Sequence, residues 1–95
     1  MDQFTEYRRC SRRRVLKEGK IIIRPPDGTI EVIIRSLSFA GAKLEIPSSV
    51  KLPEKFELIV VSNATVTPTE VMWRMGNFVG VHFCGDTKTI SLREY

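Results

Sequence analysis

Seven residues near the start of the chain, Arg8-Arg9-Cys10-Ser11-Arg12-Arg13-Arg14, hold five arginines and neither a lysine nor an acid. Guanidinium is a planar fork that meets phosphate, or the O6 and N7 edge of guanine, through two parallel hydrogen bonds, whereas ammonium is a point charge. A second polar stretch, Ser36-Leu37-Ser38-Phe39-Ala40-Gly41, reads as a turn between two strands. There the Ser38 hydroxyl can donate and accept toward a bound base, and Gly41 permits positive φ or close backbone approach. The two stretches could close together on one anionic ligand. On charge alone the arginines read equally as a solvated basic arm, and serine, alanine and glycine populate any strand connection.

The charge distribution favours a compact anion. Net charge is +4; subtracting the five arginines leaves −1 over the other 88 residues. Proteins that coat long nucleic acid spread lysine and arginine along a face to neutralise many phosphates in a row. Here the basic character is local. No Gly-rich phosphate loop precedes a helix, no nucleophile has a matching histidine and acid, and no carboxylate pair sits in an apolar surround, so the chain is not expected to be an enzyme. Glu18, Glu31, Glu45, Glu54, Glu57 and Glu70 read as solvated positions. Cys10 and Cys84 lack metal-ligand spacing and His82 is the one histidine, so neither zinc nor a redox pair is indicated.

These residues must be carried by a small β fold. Ninety-five residues make one domain, with 42% hydrophobic and 27% charged residues. No apolar run reaches the roughly 20 residues of a membrane span, and the acidic, polar start does not resemble a secretory signal, so a cytoplasmic protein is expected. Residues 1–18 show no sustained period and read as a flexible arginine-rich arm. Short apolar runs punctuated by turn residues follow over 19–84, the mark of an all-β domain. Strands are expected at Lys20–Arg24, Thr29–Arg35, Ala42–Ile46, Phe56–Val61, Thr65–Met75 and Phe78–Phe83. Ile30, Val32 and Ile34 share one face, as do Phe56, Leu58 and Val60, and Val79, Val81 and Phe83. In the long fifth run, Pro68 demands an edge or a bulge, and Val71, Trp73 and Met75 alternate onto one face, which places Trp73 in the core rather than on a base-stacking surface. Residues 85–95 are weakly patterned and read as a C-terminal tail or a short helix over one end of the sheet. Closing six strands into a barrel removes the free edges that invite aggregation.

Arg8-x-x-x-Arg12, overlapped by Arg9-x-x-x-Arg13, then Ser36-x-Ser38-x-x-Gly41, then Val71-Met72-Trp73-Arg74 and Val79-Gly80-Val81-His82-Phe83, together resemble a PilZ domain. The resemblance spans about residues 6–84. It implies a six-stranded antiparallel β-barrel that binds the bacterial second messenger cyclic di-GMP, with tethered arginines wrapping the ligand and the second motif holding a guanine on the barrel surface. Carried over, Arg8 and Arg12 fit the first motif best, and Arg9 and Arg13 are its shifted register. Ser38 and Gly41 match the second motif. Ser36 stands where the family has Asp or Asn, and losing a bidentate contact there costs about 1–3 kcal/mol. Arg35 and Arg74 are second-tier candidates, facing outward near the same place.

The resemblance implies a stand-alone receptor that changes conformation on binding cyclic di-GMP and signals to an unidentified downstream protein, with no long nucleic acid as partner. The alternative is a degenerate PilZ-like adaptor that acts by protein contact without the nucleotide. An oligonucleotide-binding barrel is disfavoured, because the eight aromatics read mainly as inward or terminal and leave few stacking platforms.

Overall fold

The structure, a computed structural model, describes residues 13–23 and 28–91. Among the described residues seven strands follow in order: β1 (Arg13–Ile22), β2 (Thr29–Leu37), β3 (Gly41–Glu45), β4 (Lys55–Val60), β5 (Thr65–Met75), β6 (Phe78–Phe83) and β7 (Lys88–Thr89), with a 3-10 turn at Val61–Asn63. The sheet order is β4-β1-β2-β3-β6-β5, and β5 pairs back onto β4, so six antiparallel strands close a barrel. Short β7 is added outside the ring, against the first residues of β5.

Closure depends on β5 serving two neighbours. Thr65 to Glu70 pair with β4, while Thr69 to Met75 pair with β6. Pro68 sits just before the handover, and its carbonyl accepts the Cys84 N–H at 2.9 Å. A residue without an N–H costs least where one ladder is giving way to another. Gly76 and Asn77 then turn the chain, with Gly76 at φ +58° in the left-handed region.

Alternating side chains meet inside the barrel. Ile21, Val32, Ile34, Leu44, Leu58 and Val79 are buried in one cluster, each side chain contributing about 1.5–3 kcal/mol. Phe56 and Val60 belong to it too, and Ile30 and Phe83 pack against it, as their alternation requires.

The two ends of the chain depart from expectation. β1 begins at Arg13, not Lys20, so residues 13–18, read from the sequence as part of the arm, lie in a strand paired with β2. Two causes hide it. Four charged residues stand among the six residues Arg13 to Glu18, and the register shifts between Arg14 and Lys17, where Val15 and Leu16 face the single residue Arg35. An extra residue breaks a period of two. At the other end, residues 85–91 contain β7 and no helix. Residues 1–12, the rest of the expected arm, lie outside the described residues, as do 24–27 and 92–95. Among the described residues no helix is long and apolar enough to cross a membrane.

Candidate functional site

Three irregularities in the sheet border one cross-strand row. In β1 the shift falls between Arg14 and Lys17, in β2 between Ile34 and Ser36, and in β5 between Val71 and Trp73. The row itself reads Arg14 opposite Ser36, Ser36 opposite Lys43, Lys43 opposite Gly80, and Gly80 opposite Trp73. Bulges re-aim side chains and gather next to functional sites. In this part of the barrel Ser36, Gly80 and Trp73 lie in one row with Arg14.

The bulge at Met72 decides where the tryptophan goes. Val71 packs against the core, but the inserted residue shifts the alternation, leaving Met72 58%, Trp73 39% and Met75 74% exposed. Trp73 and Met75 share a face as expected, yet it is the outer one, so the core assignment of Trp73 is corrected. The indole packs closely against Gly80: a Cβ there would stand 2.1 Å from Trp73 Nε1. Only a glycine leaves room for the ring.

The turn after β2 is built by the motif's serine and glycine. The Ser38 hydroxyl accepts the Ala40 N–H at 3.1 Å and the Gly41 N–H at 3.2 Å, while the Ser38 N–H donates to the Gly41 carbonyl at 2.9 Å. Ser38 thus satisfies a tight turn with its own side chain. Gly41 is required for close approach, since a Cβ there would lie 2.2 Å from the Val81 carbonyl oxygen. A hydrogen bond from Phe83 N–H to the Ala40 carbonyl, 2.9 Å, fastens the turn to β6.

Between this turn and the indole lies a cleft of about 160 Å³, lined by Ser38, Gly41, Met72, Trp73, Gly80 and His82, among others. Pockets for drug-sized ligands run to about 300–1,000 Å³, so the cleft suits one ring system rather than a whole dinucleotide. His82 Nδ1 stands 2.9 Å from Met72 Sδ, and Nε2 is 3.8 Å from Glu70 Oε1. His82 is therefore a wall of the cleft. Among the described residues no group of three histidine, cysteine, aspartate or glutamate side chains could hold a metal ion.

The remaining residues expected at the site are distributed unevenly. Arg8, Arg9 and Arg12 lie outside the described residues, and Arg13 enters β1 opposite Leu37. The neighbouring Arg14 is exposed and stands opposite Ser36. Ser36 is 7% exposed, and its buried Oγ has no hydrogen-bond partner among the described residues. A buried, unsatisfied hydroxyl costs about 1–3 kcal/mol, so the position is poised to gain from a partner. Arg35, expected near the site, pairs with Glu45 on the outer face at 3.3 Å. Arg74 is occupied elsewhere. Its guanidinium donates to the Val50 carbonyl at 2.6 Å and the Pro47 carbonyl at 2.8 Å, tying down the connection after β3. Lys43 gives no signal in the sequence; it lies in the central row, with Nζ 5.1 Å from the Phe78 ring centre.

A family model, that of the PilZ domain, matches residues 6–94. No curated protein matches the chain. The match agrees with a closed six-stranded antiparallel barrel, a serine-glycine turn at the end of β2, and an arginine-bearing strand that pairs beside it. The chain therefore belongs to the PilZ domain family, a family of cyclic di-GMP receptor and adaptor domains.

Proposed function

We propose that this protein is a cyclic di-GMP receptor that passes the signal to a downstream protein by changing the surface it presents. Arg8 and Arg12, with Arg9 and Arg13 beside them, contact the phosphates and guanine edges. One guanine enters the cleft beside Ser38 and Gly41 and stacks on Trp73. The observation that carries this reading is the exposed indole across from the serine-glycine turn, at the end of a row that begins at Arg14. Base stacking on an aromatic contributes about 1–3 kcal/mol per base. Ordering a cationic segment costs conformational entropy, so it is driven by a ligand that supplies several charge-assisted contacts at once.

Trp73 is the only tryptophan, so its fluorescence reports on the cleft without a label. Titration with cyclic di-GMP is expected to quench it in parallel with binding heat. A flat fluorescence trace together with no heat would sink the receptor reading.

Ser36 favours a second reading, an adaptor that works by protein contact alone. Its hydroxyl is buried between positions 14 and 43 in the row and offers one acceptor group where a carboxylate would accept from two guanine N–H donors. If Ser36→Asp creates nucleotide binding in a chain otherwise blind to it, the adaptor reading holds. Tight binding by the unaltered chain excludes it.

A further inference from the structure

The larger cavity, a groove of about 620 Å³ around Ile33, lies on the outer face of β1, β2 and β3. Its charges are already balanced, with Glu45 paired to Arg35 and Glu31 opposite Lys20. The row that begins at Arg14 is not balanced. Arg14 is exposed and Lys43 is half-buried, and neither pairs with a carboxylate among the described residues. Between them stands Ser36, 7% exposed, whose buried hydroxyl has no partner among the described residues.

Register aims the three side chains the same way. Val15 and Leu37 pack against the core, and Ala42 and Leu44 belong to it, so Arg14, Ser36 and Lys43, each one position away, face outward. The bulges in β1 and β2 flank the row and set Arg14 opposite Ser36. Neighbouring strands lie about 4.8 Å apart, so the three polar groups share one small patch. Arginine and lysine only donate hydrogen bonds, so neither offers the Ser36 hydroxyl proton an acceptor. The partner that completes all three is an acceptor carrying negative charge. Phosphate presents oxygens in several directions, to donors on three strands, whereas a carboxylate presents two in one plane. The Lys43 ammonium rests 5.1 Å from the Phe78 ring centre, a contact weaker at such a surface than a charge-assisted hydrogen bond and readily given up for one.

We infer that Arg14, Ser36 and Lys43 form a phosphate subsite, which takes one phosphodiester of the cyclic dinucleotide whose base stacks on Trp73. The dinucleotide as source of that phosphate rests on the receptor reading; the subsite itself does not. Position 36 thereby donates to phosphate instead of accepting from guanine. Arg14 is a directed contact, although it lies outside both arginine registers.

The test pairs calorimetry with amide NMR on the full chain. Arg14→Gln and Lys43→Gln are each expected to weaken cyclic di-GMP binding about tenfold, the effect of one charge-assisted hydrogen bond. Ser36→Ala is expected to weaken it severalfold while urea stability stays equal or rises, because a buried hydroxyl without a partner is removed. Ser36→Asp is expected to weaken it further, since a carboxylate repels phosphate; a position that reads guanine would gain affinity instead. Inorganic phosphate alone, against sodium chloride at equal ionic strength, is expected to give saturating shifts at the Ser36 and Lys43 amides, weakened by Lys43→Gln and displaced by cyclic di-GMP. Phosphate shifts in a chain that binds no cyclic di-GMP would uphold the subsite, assign it to free phosphate and remove the receptor reading. Unchanged cyclic di-GMP affinity in Arg14→Gln and Lys43→Gln, tighter binding by Ser36→Asp, or the absence of both nucleotide binding and phosphate shifts would each overturn the inference.

Discussion

The cleft beside Trp73 and the groove around Ile33 occupy the outer surface of one barrel and are built by opposite means. At the cleft the sheet is irregular: bulges in β1, β2 and β5 border the row, and two glycines let backbone or indole come closer than any side chain would allow. At the groove Glu18, Ile33 and Glu45 stand in plain register. The first face combines an arginine-bearing strand, a lysine and an indole; the second combines an isoleucine and a leucine with carboxylates. Irregular backbone makes a shaped recess for a flat ligand.

The largest expected effect breaks the cleft side outright. Gly41→Ala forces a Cβ against the β6 backbone, where the atom it meets is a carbonyl oxygen and cannot swing aside. A loss of about 3 kcal/mol or more in urea unfolding is expected, at the upper end for overpacking. Stability within about 0.5 kcal/mol of the unaltered chain would show that β3 and β6 can part there without cost.

Trp73→Ala separates binding from folding. The indole is partly exposed, so stability is expected to fall by about 1 kcal/mol, near the middle of what single substitutions do. Cyclic di-GMP affinity is expected to fall roughly tenfold or more, following the energy of one stacked base. Unchanged affinity in calorimetry would remove the cleft from the nucleotide site and leave the arginines alone.

Ile33→Thr is the smallest perturbation and sharpens the contrast most. A β-branched residue is kept on an exposed strand position, so stability is expected to move by less than about 0.5 kcal/mol. Nucleotide affinity in calorimetry is expected to stay the same. A loss of nucleotide affinity would mean that the two faces are one site.

The strands after residue 28 are legible in the sequence because their side chains alternate over a stable period. Val32, Ile34, Leu58 and Val79 have nowhere to go but inward. Ser38 and Gly41 are legible as a pair, although the structure assigns them to the turn and to close backbone packing before any ligand contact. Trp73 misleads because an alternation count cannot see an inserted residue. Glu18, Glu31 and Glu45, taken one at a time, read as solvated. Their gathering around Ile33 needs the register of three strands, which no single segment contains.

Residue order alone determined the all-β barrel, the family and the local concentration of guanidinium charge, since period, turn chemistry and composition are properties of short segments. Tertiary structure decided which face each critical side chain occupies. A single extra residue in a strand reverses the alternation beyond it, and only pairing with the neighbouring strands reveals where that residue sits.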